Sequence, residues 1–137
     1  RRRHSVPTRR SSDLGAAGMK RFFLGALMAL IFGQAAFADT MTWRIRAFDK
    51  HAVDVSFYSQ NRKAVWPGNG QVWTIKDYKV HELKLNCIAG EKICYGAWVR
   101  GSSKEYWGVG SGGTQRCKSC CYTCQNGFAT PIQNLNE

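Results

Sequence analysis

The 137-residue sequence contains no apolar run long enough to cross a bilayer. Its longest, residues 22–32, has eleven residues, whereas a transmembrane helix needs about 20. No 11-residue window after position 38 has the spacing of an amphipathic helix, which excludes a helical bundle. Histidine is scarce as well: beyond that position only His51 and His81 occur, with no H-x-x-x-H pair to ligate a metal or form a catalytic dyad.

The sequence signals of several enzyme classes are also missing. Ser111 lacks the G-x-S-x-G frame of a nucleophile elbow. Residues 108–113, GVGSGG, match G-x-G-x-x-G, but no strand–helix unit surrounds them, so a mobile loop is expected and not a dinucleotide site. No two carboxylates stand out as a glycosidase pair, and Asp54 and Glu82 are expected to face outward on strands. We therefore predict no catalytic residue and no cofactor.

Acidic residues are few, with 9 against 20 Lys and Arg and a formal net charge of +11. Charged residues at 21% and hydrophobic residues at 44% are typical of a folded chain and exclude a highly charged disordered one. Residues 39–137 hold 13 basic and 8 acidic residues, for a net charge of +5, and no run of like charge exceeds two. This excess predicts a soluble basic surface, with weak attraction to anionic envelope polymers or lipids as the alternative.

The first 18 residues differ from the rest of the chain. They carry five Arg and one Asp, and such a basic arm could grip nucleic acid or an anionic surface. However, residues 4–14, HSVPTRRSSDL, closely resemble the translation of a common sequencing-adapter oligonucleotide, HSFPTRRSSDL, from which only Val6 departs. The resemblance implies that residues 1–18 are a non-native upstream extension, which is excluded from the fold as a tag would be.

Residues 19–38 have the three parts of a secretory signal peptide. Met19, the expected start, is followed by Lys20-Arg21, then by the apolar run, and residues 36–38 form an A-x-A cleavage site. A membrane anchor is the alternative, but the run is too short for one. We therefore expect a periplasmic or secreted protein with no transmembrane segment. Export also disfavours nucleic acid as a partner.

Alternation of apolar and polar residues dominates residues 39–137 and predicts strands. Turn signals divide this part of the chain at intervals of about ten residues, the rhythm of a sandwich or barrel. Pro131 favours an edge position for the last strand. The sequence predicts one all-β domain at residues 39–137, a small disulfide-stabilised antiparallel β-sandwich. The predicted strands are residues 42–48, 52–58, 71–76, 81–88, 93–100 and 128–135.

The cysteine count is even, and export leads to an oxidising compartment, so three disulfides are expected. Six cysteines allow fifteen connectivities, and the sequence does not choose among them. Residues 83–88 and 93–98 look like hairpin arms, which would put Cys87 opposite Cys94. The alternative is that one or both of these staple the C-terminal loop to the sheet. A bond between adjacent cysteines is the least favoured, because it needs a strained peptide. The six are Cys87, Cys94, Cys117, Cys120, Cys121 and Cys124.

The segment C-x-x-C-C-x-x-C at residues 117–124 has two other interpretations. Four thiolates could hold zinc, but the two pairs abut without the usual intervening loop, and exported thiols meet oxidants before a metal. Residues 117–120 could instead exchange disulfides, with Arg116 and Lys118 favouring the thiolate. No βαβ context of the thioredoxin kind surrounds them. No metal ligand is therefore predicted.

Aromatic residues in loops are the most suggestive feature for function. Trp66 lies beside the turn at residues 67–70, and Tyr106 and Trp107 adjoin the glycine-rich segment. Indole and phenol rings pack on the C–H faces of sugars, and they also seat in a membrane interface. Trp66, Tyr106 and Trp107 are therefore candidate ligand contacts. The alternative is that they cover the ends of a small sandwich, and Trp73, Tyr95 and Trp98 are left open between core and surface.

Residues 94–124, with CYGAW, YWGVG and CxxCCxxC, resemble a group of small exported cysteine-rich bacterial proteins. The resemblance covers most of residues 39–137 loosely, and it implies a secreted β-domain with no assigned activity. We therefore expect a non-enzymatic module that binds a carbohydrate or other envelope polymer. The alternative is a small secreted basic effector, a toxin or inhibitor acting on a foreign protein or membrane. A thiol-redox or zinc protein comes third.

Overall fold

The structure, a computed structural model, describes residues 38–136 of the chain. The extension predicted at residues 1–18 and the signal peptide predicted at residues 19–38 therefore lie outside the described residues, apart from Ala38. In the described part, no helix has the length and hydropathy needed to cross a membrane. The strands are β1 (Asp39–Ala47), β2 (Val53–Ser59), β3 (Val65–Trp66), β4 (Trp73–Ile75), β5 (His81–Cys87), β6 (Lys92–Val99), β7 (Ser102–Gly108), β8 (Cys121–Thr123) and β9 (Ala129–Leu135).

The strands form two sheets. In the first sheet, β1 lies between β5, which is antiparallel to it, and β9, which is parallel to it. The second sheet has the order β3-β2-β6-β7, with β4 also paired to β2 and β8 also paired to β6. Its strand pairs are all antiparallel. The predicted all-β sandwich is confirmed, and β1–β9 is the pair that departs from an antiparallel arrangement.

The main hydrophobic core lies between the sheets, because alternate side chains of each strand point to the same face. In β1, Met41, Trp43 and Ile45 point inward and are fully buried. The ring of Trp43 packs against Phe57 of β2 with the centroids 4.9 Å apart. Full burial of each large apolar side chain contributes about 1.5–3 kcal/mol, so this stripe fixes which face of β1 meets the second sheet.

The six predicted strands are confirmed as β1, β2, β4, β5, β6 and β9. Pro131 lies in β9, at the edge of the first sheet, where the missing N–H costs no ladder bond. The sequence does not predict β7, since Ser102 and Ser103 look like part of a turn. Most of its side chains are exposed, so β7 also lacks a buried apolar stripe.

The hairpin predicted around residues 89–92 is wrong. The chain does turn tightly there, with the Glu91 N–H donating to the Ile88 carbonyl at 2.9 Å. However, β5 pairs with β1 in the first sheet and β6 pairs with β2 in the second. The turn therefore carries the chain from one sheet to the other. As a result, Cys87 does not lie across a ladder from Cys94, and the predicted bridge between them is wrong.

Three disulfides join the six cysteines, as predicted. Both sheet cysteines bond to the C-terminal segment, which was the alternative arrangement. One bridge joins the end of β5 to the residue after β8, and another joins two residues that are paired in the β6–β8 ladder. The C-terminal segment is thereby held against both sheets. The bridges are Cys87–Cys124, Cys94–Cys121 and Cys117–Cys120.

Candidate functional site

A row of paired residues crosses the outer face of the second sheet, away from the core. Asp54 of β2 has Thr74 of β4 on one side and Trp98 of β6 on the other. Trp98 in turn lies opposite Tyr106 of β7. The Thr74 hydroxyl donates to the Asp54 carboxylate at 2.8 Å. Asp54 faces away from the core as predicted, but it is only 7% exposed, so it supports this face and is not a free surface charge.

Residues 108–113, which we call the glycine loop, pack onto the same face. The Val109 N–H donates to the Tyr95 carbonyl at 3.0 Å. This approach requires a glycine in the sheet, because a Cβ on Gly96 would lie 2.2 Å from the Gly110 carbonyl oxygen. The glycines therefore permit the loop to pack closely on the sheet. This differs from the mobile loop that the sequence predicts for residues 108–113. The loop ends in a short 3-10 turn and not in a helix N-terminus, so it lacks the usual pyrophosphate site.

A groove of about 370 Å³ lies between the glycine loop and the loop that joins β3 to β4. The sheet contributes Ser56, Tyr58 and Trp98 to it, and the β3–β4 loop contributes residues 68–72. Of the residues in the described part of the chain that line it, none carries a charge. We call this concavity the outer-face groove. It combines aromatic rings with neutral hydrogen-bonding groups and exposed backbone.

The three aromatic residues predicted as ligand contacts have different settings. Tyr106 is 43% exposed on the outer face. Trp66 is half-buried at the opposite edge of the sheet, and its indole N–H donates to the Asn86 carbonyl at 2.9 Å. Trp107 packs against the core, and its indole N–H donates to the Asn136 carbonyl at 2.7 Å. The structure does not bring the three together, and of them Tyr106 adjoins Trp98 and the outer-face groove.

Tyr106 and Trp107 also line a second concavity, of about 550 Å³, which we call the charged cavity. The connection from β1 to β2 contributes three residues to it, Asp49, Lys50 and His51. The Nδ1 atom of His51 lies 2.9 Å from the Asp49 carboxylate. Among the described residues, no serine, threonine or cysteine lines this cavity, so none of these nucleophiles lies beside His51 for it to activate. Four of the lining residues carry a charge: Asp49, Lys50, Lys104 and Glu105.

An ion pair with one buried partner, Glu91, lies away from both concavities. Arg62 donates two N–H groups to the carboxylate of Glu91, whose side chain is 2% exposed. The Ser59 hydroxyl and the Ile88 N–H donate to the same carboxylate at 2.6 and 3.1 Å. Burial raises the pKa of Glu91, but the hydrogen bonds outweigh it and hold that pKa below its usual value. This pair joins the β2–β3 loop to the β5–β6 turn and is structural.

No protein-family model, curated protein or solved structure matches this chain. A β-sandwich by itself does not specify an activity, since many unrelated functions share this architecture. The features of this chain that bear on its function are the outer-face groove and its neighbours.

Sequence reasoning missed Tyr58 and Trp98 as site residues. The signal was present in the alternation of their strands. In β2, the inward set ends at Phe57, which leaves Tyr58 on the outer face. In β6, the inward residues flank Trp98 and leave it outside as well. An outward aromatic on a strand was the useful indicator here, more than an aromatic beside a turn.

Proposed function

We propose that this protein is a non-enzymatic binding module for a neutral glycan and that the outer-face groove is its site. The observation that carries the proposal is that the groove has two aromatic side chains, Tyr58 and Trp98, while none of its described lining residues is charged. Tryptophan and tyrosine rings pack on the C–H faces of sugars. Amide, hydroxyl and backbone groups around them exchange hydrogen bonds with the sugar hydroxyls.

The groove is held in shape before a ligand arrives. The Tyr58 hydroxyl accepts a hydrogen bond from the Gly112 N–H at 3.0 Å. The Tyr58 ring also packs directly on Gly113, where a Cβ would lie 2.7 Å from it. A side chain that is already ordered loses little entropy on binding, so this arrangement favours affinity.

The aromatic surface continues beyond the groove. Trp98 lines the groove, and its neighbour across the ladder, Tyr106, lies on edge strand β7. Directly opposed residues on neighbouring strands have Cβ atoms about 5 Å apart, so the two side chains are neighbours on this face, and we propose that they act together as one platform. A platform of this kind favours a chain of several sugars over a monosaccharide. The proposed ligand is therefore a polysaccharide, such as an envelope polymer.

The proposed location is the periplasm or the outside of the cell. Three disulfides support it, since such bonds persist in oxidising compartments. The signal-peptide pattern of residues 19–38 supports it as well. A glycan of the envelope or the surroundings is accessible to a protein in either place.

The proposal is tested by retention on insoluble polysaccharides. The full chain is produced by export into an oxidising compartment, and the purified protein is mixed with cellulose, chitin, xylan and purified peptidoglycan. We expect retention on at least one of them, and we expect Trp98→Ala to weaken it at least tenfold. Tyr78→Ala is the matched control, because Tyr78 is a 53% exposed aromatic outside the groove. It should bind like the wild type.

Two results would contradict the proposal. The first is wild-type protein that none of these polymers retains. The second is retention that Trp98→Ala leaves unchanged while circular dichroism shows the variant folded. Release of dye from anionic vesicles by the wild type, equally strong in Trp98→Ala, would support the alternative of a membrane-active effector instead.

A further inference from the structure

Four of the six cysteines form one cluster at the margin of the second sheet, which we call the cysteine cluster. It consists of the bridges Cys94–Cys121 and Cys117–Cys120. The Sγ atoms of Cys120 and Cys121 are 3.6 Å apart, although they belong to different bridges. The sulfurs of Cys94, Cys120 and Cys121 all lie within 4.8 Å of one another. Two disulfides therefore stand within reach of exchange. The remaining bridge lies in the main core and is not part of the cluster.

The two ends of the Cys117–Cys120 bridge differ in accessibility. Cys120 is 2% exposed, whereas Cys117 is only half-buried. Arg116 and Lys118 flank Cys117 and are exposed. Positive neighbours attract an incoming thiolate and stabilise a thiolate once it forms. An external thiolate therefore reaches Cys117 first.

The same bridge closes the shortest loop of the three. The sequence separation of its cysteines is 3, against 27 and 37 for the others. A disulfide stabilises the folded chain less when its loop is short, because it removes less entropy from the unfolded chain. Opening Cys117–Cys120 therefore costs the fold less than opening either other bridge, and Cys87–Cys124, outside the cluster, continues to hold the C-terminal segment.

We propose that Cys117–Cys120 is a redox-active disulfide that oxidises external dithiols and passes the exchange on to Cys94–Cys121. The thiolate of the dithiol attacks Sγ of Cys117, the Cys117–Cys120 bond breaks, and Cys120 leaves as a thiolate. The second thiol of the dithiol then attacks the mixed disulfide and releases Cys117. The dithiol becomes a disulfide, and its two electrons and two protons end on the two cysteines.

The second step is an exchange inside the cluster. The Cys120 thiolate attacks Sγ of Cys94, the bond Cys94–Cys120 forms, and Cys121 leaves as a thiolate. No electron is gained or lost in this step, since one bond replaces another. Attack on Cys121 instead would close a bond between adjacent cysteines, which needs a strained peptide geometry. The relay therefore runs through Cys94.

The first step is tested by timed reduction of the exported wild-type protein. Dithiothreitol is added, samples are quenched with acid and alkylated, and the modified cysteines are mapped by mass spectrometry. We expect Cys117, together with Cys120 or with the Cys121 that the relay frees, to become alkylated at least tenfold faster than Cys87 and Cys124. Loss of all three bridges in one step, or earlier opening of the Cys87–Cys124 bridge, would overturn the proposal.

The second step is tested by the disulfide map of the Cys117→Ser variant. This change leaves Cys120 as a thiol beside the other bridge, so a Cys94–Cys120 species should appear. Cys87→Ser is the matched control. It leaves Cys124 as an unpaired thiol, but Cys124 lies outside the cluster, so no rearranged bond should form. Partly reduced wild-type protein gives the same readout if the variant fails to fold. If both samples contain only Cys94–Cys121, the relay is refuted.

Discussion

Trp98 of β6 lies directly opposite Tyr106 of β7 on the outer face of the second sheet. The two rings come from strands that meet at a short connection, so their positions are fixed by the ladder and not by a loop. The Tyr106 ring also packs over Gly110, where a Cβ would lie 3.2 Å from it. The pair therefore links the groove to the sheet edge.

Removing one ring of this pair should weaken binding without unfolding the protein. Tyr106→Ala is expected to lower the affinity for the retained polysaccharide about fivefold, or about 1 kcal/mol, the usual value of one aromatic contact. Tyr106→Phe keeps the ring and should bind within twofold of the wild type. Depletion isotherms on the polymer measure both. Equal losses in the two variants would show that the hydroxyl acts and not the ring face.

The glycine loop should be sensitive to a single methyl group in the sheet. Gly96→Ala would place a Cβ against the backbone carbonyl of Gly110, which cannot rotate away. We expect a loss of about 3 kcal/mol in unfolding free energy, at the upper end for overpacking. Gly70→Ala meets no atom within 4 Å and should cost only about 1 kcal/mol for its positive φ of 70°. Urea unfolding compares the two, and similar losses would contradict the packing account.

The disulfides should differ in their effect on stability. The Cys87→Ala, Cys124→Ala double variant removes a bridge with a sequence separation of 37. The loop-entropy relation predicts a loss of about 4 kcal/mol in unfolding free energy. The Cys117→Ala, Cys120→Ala double variant removes a bridge with a sequence separation of 3, for which the same relation predicts a loss of about 2 kcal/mol. Thermal and urea unfolding under non-reducing conditions measure both. The reverse order of losses would show that the short bridge holds the fold.

Stability should fall in acid because of Glu91. Its folded pKa lies below the usual value of 4.5, so the ionised form is favoured by folding. The contribution of Glu91 is complete above about pH 4.5 and is lost as the pH falls through the folded pKa. Glu91→Gln should be less stable at pH 7 and should lose less stability between pH 6 and pH 3. Glu82→Gln, at a 59% exposed site, is the control and should follow the wild type.

Alternation predicted the strands that bury one face, because period-2 burial leaves a direct mark on the sequence. β1 and β5 show it clearly, with inward residues such as Trp43 and Leu85. The β5–β6 hairpin was wrong for a physical reason: a tight turn looks the same whether its two arms pair or enter opposite sheets. The parallel pairing of β9 with β1 depends on distant residues, and nothing local signals it.

The candidate site was only partly predictable. Tyr106 was found because it adjoins a glycine-rich segment. Trp98 and Tyr58 were not singled out, since the value of an outward aromatic depends on which loops cover its face. That cover requires Gly110 of the glycine loop to lie against Gly96 of the sheet, a contact that appears only after folding. The Cys94–Cys121 bond likewise follows from the β6–β8 register.

The most direct test of the groove uses the indole N–H signals of the five tryptophans in a nitrogen-15 NMR spectrum. A soluble oligosaccharide from the retained polymer is titrated into labelled protein, with assignments from single Trp→Phe variants. The account predicts that the Trp98 signal shifts and saturates, while the signals of Trp66 and Trp107, already bonded to backbone carbonyls, stay within a line width. A saturating shift of Trp66 or Trp107 with Trp98 unmoved would contradict it and would place the ligand elsewhere.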